Sequence, residues 1–148
     1  VEKANEHQKK VIFNKIADHF KFNLKGKTVA VWGLSFKPKT DDIRESSAIF
    51  LVKKLLEAGV KVRAYDPAAM RETKKQITDT VYYAEDPYDA LIGADALALM
   101  TEWPEFHLPD FERMSGIMNG KVIFDGKNIY DPEELREKGF MYYGIGRK

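Results

Sequence analysis

Apolar and polar positions along the chain fall into two alternating textures. Short runs rich in β-branched and aromatic residues occur at Thr28–Trp32, Lys61–Tyr65, 80–83, 96–100, 121–124 and 141–143. Between most of them lie stretches with apolar residues at helical spacing. The clearest spans 46–58, with Ile49, Phe50, Val52, Leu55 and Leu56 on one side, Lys53, Lys54 and Glu57 on the other, and Gly59 as its stop. Asp86-Pro87 and Asp131-Pro132 each read as an N-cap followed by proline at the first helical position, where its missing N–H costs nothing. Glu134 adds an acid at N3, as in a capping box. The first twenty residues contain no Gly or Pro, and Val1, Ala4, Val11, Ile12, Ile16 and Phe20 fall near one stripe. That is an amphipathic helix. A polar turn through Gly26 follows it.

Strands that alternate with helices make βαβ units. The expected fold is therefore α/β, a Rossmann-like parallel sheet with helices on both faces, preceded by the amphipathic helix. The expected strand order is 3-2-1-4-5-6. The 148 residues carry 24 Lys+Arg against 23 Asp+Glu, with 44% hydrophobic positions, which suits one soluble domain. Near-neutral charge argues against a nucleic-acid surface. No apolar run reaches the ~18 residues of a membrane span. The chain opens on Val1 with no signal-peptide pattern, and its first helix starts abruptly, which points to a piece of something longer. With no cysteine, thiolate nucleophiles and thiolate metal sites are excluded.

In an open parallel sheet, ligands bind beyond the carboxyl ends of the strands. Four segments should share that edge: 33–38, Asp66-Pro67, Thr101-Glu102-Trp103 and Asp125-Gly126-Lys127-Asn128. The first is unlike a dinucleotide fingerprint, because only Gly33 stands where three glycines are needed. Its long charged loop is either a solvated connection with balancing charges or a phosphate site held by Lys37 and Arg44. Asp66 is either a ribose-binding acid or, the favoured reading, an Asp-Pro turn. Trp103 reads as a packed loop anchor. His7, His19 and His107 have no metal spacing, and Lys9-Lys10 and Lys74-Lys75 read as solvated helix faces.

The block Gly33-Leu34-Ser35-Phe36-Lys37-Pro38-Lys39-Thr40-Asp41-Asp42-Ile43-Arg44-Glu45-Ser46 closely resembles a G-x-x-F-K-x-x-T-x-D-x-R-E-S stretch of the UDP-glucose/GDP-mannose dehydrogenase family. Asn5 and Gln8 resemble the family's N-x-x-Q, and Tyr65-Asp66-Pro67, Thr101-Glu102-Trp103 and Phe124-Asp125-Gly126 continue the match in order. The resemblance implies that residues 1–24 end a central interdomain helix and that 25–148 form the C-terminal nucleotide-sugar-binding domain. It implies an NAD-dependent oxidoreductase that carries a nucleotide-sugar alcohol to the uronic acid in two oxidations. Phe36 and Lys37 would then contact the UDP-sugar, and Arg44 would reach NAD across the domain cleft. Lys127 stands where the family usually has Arg, keeping the charge without the planar fork.

The family's catalytic cysteine segment and its NAD glycine fingerprint are not in this sequence, so no catalytic residue is assigned and the chain alone is expected to be inactive. NAD would be bound mainly by an N-terminal domain of the same enzyme. The resemblance further implies a cytoplasmic homodimer acting in polysaccharide biosynthesis, with the leading helix in the dimer core, and no nucleic-acid or membrane partner. Thr-Glu-Trp and Lys37-Pro38 look more like UDP-glucose members than GDP-mannose or UDP-N-acetylmannosamine ones. A stand-alone nucleotide sensor and a purely structural module are the competing readings. A start methionine and a helix cap would favour the sensor, and upstream coding sequence the enzyme.

Overall fold

The computed structural model describes residues 2–77 and 80–146, and the side chains from Lys10 onward within that range. Helix α1 (Glu2–His19) leads into strand β1 (Thr28–Trp32), α2 (Ser47–Glu57), β2 (Lys61–Tyr65), α3 (Met70–Gln76) and β3 (Tyr82–Tyr83). The second half runs α4 (Pro87–Leu91), β4 (Ala96–Leu99), a 3-10 turn (Pro104–Phe106), α5 (Phe111–Ile117), β5 (Val122–Asp125), α6 (Pro132–Glu137) and β6 (Met141–Gly144). All strand pairings are parallel, and the sheet order is β3-β2-β1-β4-β5-β6. The six expected strands and their order are therefore present. The third is shorter than expected, because only Arg63 and Ala64 of β2 offer it partners.

The alternation along each strand sorts the core into two layers. Val29 and Val31 of β1 join Val62, Ala64, Ala98 and Phe124 on one face, beneath α1, α2 and the start of α3. Ala30 and Trp32 join Leu97, Leu99, Ile123 and Tyr142 on the other, beneath α4, α5 and α6. Strands covered on both sides are apolar throughout, and β1 is buried from Val29 to Trp32. Trp32 stacks on Phe106 with ring centroids 4.9 Å apart, and its indole N–H donates to Pro87 O.

The caps form as the sequence requires. Ser46 Oγ accepts from Ala48 N and Ile49 N at the start of α2, Asp86 caps α4, and Asp131 Oδ1 accepts from Glu133 N. Gly59 ends the α2 turn at φ 84°.

Helix α1 seats Ile12, Ile16 and Ala17 in the first layer. Phe20 lies one residue past the helix, and the turn continues through Lys21 and Phe22 at φ 53° and 62°. Val1 and the side chain of Ala4, both assigned to the apolar stripe, lie outside the described residues. The helix is pinned at His19, whose Nδ1 is 2.9 Å from the Tyr143 hydroxyl and whose ring packs edge-on against Phe124. Burial lowers the His19 pKa from its ordinary value, opposed by the charge of Asp18.

Candidate functional site at the carboxyl edge

Two loops leave the carboxyl ends of central strands, and each is braced by a buried carboxylate. After β1, Gly33 turns at φ 96° with its N–H on Tyr65 O. A Cβ at Gly33 would lie 2.6 Å from both Thr101 N and Thr101 Oγ1, so no other residue fits there. Asp66, wholly buried after β2, accepts at Oδ2 from Leu34 N (2.7 Å), Ser35 N (3.2 Å) and the Trp103 indole N–H (3.1 Å). Its Oδ1 accepts from Ala68 N and Ala69 N, both at 2.8 Å. Asp66 is thus the Asp-Pro turn of the favoured reading, and it also ties three loops together. It is not a ribose ligand, because both oxygens are already taken. Trp103 is a packed anchor, as expected, with its only polar atom committed to Asp66.

The second carboxylate is Asp125, also fully buried, at the end of β5. Its Oδ1 accepts from Lys127 N at 3.0 Å, and its Oδ2 from Tyr130 N and the Tyr142 hydroxyl at 2.9 Å. Burial and the nearby Asp125 charge push the Tyr130 hydroxyl pKa far up, and Tyr130 donates to Phe106 O at 2.6 Å. Asn128 completes the loop at φ 54°.

These braces leave the predicted binding residues at the surface. Phe36 is 52% exposed, and Lys37 and Lys127 are exposed. Among the described residues, neither lysine makes a side-chain hydrogen bond or ion pair. Lys127 lines a cleft of about 170 Å³ with Ser47, Gly126, Met100 and Ile12, between α1 and the start of α2. Ser47, at the first turn of α2, reaches this cleft only because the fold brings the start of α2 beside the loop after β5, which no sequence spacing signals. Arg44 lies elsewhere on the edge, in a shallower depression with Thr40, Asp41, Ile43 and Glu72. Its guanidinium is 87% exposed and forks onto Asp42, with Nε on Oδ1 at 3.0 Å and Nη2 on Oδ2 at 2.9 Å. That hydrogen bonding holds the Asp42 carboxyl at about 2, well below the ordinary range.

The dinucleotide cofactor that the resemblance implies does not fit the turn after β1. A pyrophosphate cradle needs free backbone N–H groups, but those of Leu34 and Ser35 point into Asp66 and that of Phe36 donates to Asp42 O at 2.7 Å. No group of three or more potential metal-ligating side chains occurs among the described residues, and no described helix is long and apolar enough to cross a membrane.

Fold and edge together define a doubly wound α/β domain that offers exposed cations on rigid loops at its strand ends, an arrangement suited to a phosphorylated ligand. The comparisons make this specific. The profile of the UDP-glucose/GDP-mannose dehydrogenase family, UDP binding domain, matches residues 30–132, and the chain belongs to that family. It is 43% identical to a UDP-glucose 6-dehydrogenase of Pseudomonas aeruginosa, over 99% of this chain and 34% of that protein. It is 41% identical to a UDP-glucose 6-dehydrogenase of Rhizobium meliloti, over 97% of this chain and 33% of that protein. A solved UDP-glucose dehydrogenase from Pyrobaculum islandicum superposes with a TM-score of 0.82 at 30% identity, covering 99% of this chain and 31% of that one. The chain thus spans about a third of the length of the relatives it matches.

Proposed function

We propose that the chain supplies the nucleotide-sugar site of an NAD-dependent UDP-glucose 6-dehydrogenase that takes UDP-glucose to UDP-glucuronate in two successive oxidations. Residues 1–24 hold the end of a central interdomain helix, which stops at His19, and the turn after it, and 25–148 are the UDP-sugar-binding domain. The observation that carries this reading is the pair of exposed ammonium groups of Lys37 and Lys127, neither with a side-chain hydrogen bond or ion pair among the described residues, on loops fixed by Asp66 and Asp125. A diphosphate needs cations that are held in place but not already neutralised.

In this reading Lys37 and Lys127 take phosphate or sugar oxygens from the first and fifth strands, and Phe36 offers its half-exposed ring to the ligand. Arg44 reaches NAD held by an N-terminal domain of the same enzyme. Its present partner Asp42 is a partly exposed carboxylate at the surface, and an ion pair of this kind contributes little net stability and yields readily to a phosphate. No residue of this chain carries the chemistry, and hydride transfer belongs to the rest of the enzyme. Two copies pair through α1, and the enzyme works in the cytoplasm on precursors of polysaccharides.

Calorimetric titration of the chain with UDP-glucose and with GDP-mannose tests the reading. Binding of UDP-glucose in preference to GDP-mannose is expected. Preference for GDP-mannose would move the assignment within the family, and binding of neither would overturn it.

A further inference from the structure

We infer that Thr101 is a positioning residue for the diphosphate side of the site, acting through the peptide between Ser35 and Phe36. The inference rests on the nucleotide reading above.

Among the described residues, no side-chain hydrogen bond fixes Phe36 or Lys37. Their placement is inherited from the backbone that precedes them. From Leu34 N to Phe36 N, every polar atom of that backbone is engaged, by four residues from different parts of the chain. Asp66 receives the N–H groups of Leu34 and Ser35, and the Ser46 hydroxyl donates to Leu34 O at 2.8 Å. The Thr101 hydroxyl, buried after β4, donates to Ser35 O at 2.8 Å, while Phe36 N donates to Asp42 O at 2.7 Å. The peptide plane just before Phe36 is therefore held at both ends, with Thr101 as its one side-chain hydrogen bond among the described residues. Ser35 Oγ then donates to Lys37 O at 2.8 Å, carrying the orientation one residue further.

Thr101 also packs on Gly33 so tightly that no Cβ fits between them. A hydroxyl reaching a buried carbonyl from the neighbouring strand fixes a plane that hydrophobic contact alone would leave free to rotate. Removing it leaves Ser35 O buried and unsatisfied, and the peptide relieves that by turning toward water. Such a turn displaces Phe36 and Lys37 without unfolding the sheet.

The test is UDP titration of the chain, by calorimetry, alongside amide hydrogen exchange at residues 34–37. Thr101→Val keeps the shape and removes the donor; it should weaken UDP binding roughly tenfold, the loss of about one hydrogen bond, and speed exchange in the loop. Thr101→Ser restores the hydroxyl and should recover both. Thr73→Val is the matched control, since the buried Thr73 hydroxyl also donates to a carbonyl at 2.8 Å, but to Ala69, the N-cap of its own helix. It should leave UDP affinity unchanged. Should Thr101→Val not fold, Thr101→Ala repeats the removal without placing a methyl against the carbonyl.

Wild-type affinity in the hydroxyl-free variant, an equal loss in Thr73→Val, or failure of Thr101→Ser to recover binding each overturns the proposal. A wild-type chain that takes up no UDP sinks the nucleotide reading and the proposal together, which separates that failure from the others.

Discussion

Asn128 and Ile145 are joined by two reciprocal hydrogen bonds: the Asn128 amide Nδ2 donates to Ile145 O, and Ile145 N donates to Asn128 Oδ1, both at 2.8 Å. The side chain thus imitates a strand neighbour and clamps the segment after β6 onto the loop that carries Lys127. It does so from the left-handed backbone region, at φ 54°, which asparagine tolerates better than most residues. Asn128→Ala loses both bonds and adds backbone strain, so it should destabilise by about 2–4 kcal/mol. Asn128→Gly keeps the backbone free and should cost about 1–2 kcal/mol. Urea denaturation that ranks glycine as the worse substitution would contradict this account.

Lys37→Ala should weaken UDP-glucose binding by about 1.5–3 kcal/mol, the worth of a hydrogen bond to a charged group. Lys127→Arg should be neutral or favourable, because it restores a planar fork. Lys53→Ala, on the exposed side of α2, should change little. Equal affinity for the Lys37 and Lys53 variants would remove Lys37 from the site.

Asp66→Asn should be far more damaging than Asp131→Asn. Both oxygens of Asp66 face N–H donors, so whichever way the new amide turns, it sets donors against donors in a buried site. The expected loss is at least about 2 kcal/mol. Asp131 caps α6 at the surface, where Asn serves about as well. Thermal denaturation of the two variants decides, and a similar small shift for both would show that the Asp66 network relaxes easily.

The Asp42 carboxyl, held at about 2 chiefly by the side-chain hydrogen bond from Arg44, should rise toward the ordinary range in Arg44→Ala. A depressed carboxylate contributes stability that is fully present above its unfolded value of about 3.9 and fades as pH falls through the folded one. Any advantage of wild type over Arg44→Ala should therefore be constant at neutral pH and disappear between about pH 4 and 2. Carboxyl titration by NMR reads the midpoint, and an unshifted Asp42 would place the cause elsewhere.

No NADH should accumulate when the 148-residue chain is mixed with UDP-glucose and NAD. It has no cysteine to hold a covalent intermediate, and the backbone donors after β1 are already engaged. Steady absorbance growth at the NADH band from the pure chain would refute this.

Much of the architecture was legible because it depends on local pattern. Val29 to Trp32 declare a doubly buried strand by composition, Asp86-Pro87 and Asp131-Pro132 declare helix starts, and Gly59 declares a stop. Phe36, Lys37 and Lys127 reach the surface at the expected edge because a carboxyl-end loop is the only place a parallel sheet leaves for them. The roles of Asp66 and Asn128 were not legible in the same way. Asp66 meets Leu34 across 32 residues and Trp103 across 37, and Asn128 meets Ile145 across 17. No spacing rule links such positions. The one available signal was chemical and covered Asp66 alone: an acid that directly follows a strand must find donors when it is buried.

Strand β1 sits between β2 and β4, and its register with β4 pairs Val29 with Ala96 and Trp32 with Leu99. On a ribosome, β1 and β2 emerge long before that second partner exists. For the intervening stretch of synthesis one side of a strand apolar from Val29 to Trp32 stands open, with its backbone groups ready to pair with any other chain. Closure waits on β4, and the contacts that reward it are distant in sequence, which slows folding. A nascent chain interrupted before Ala96 is therefore an aggregation-prone half-sheet rather than a smaller stable domain.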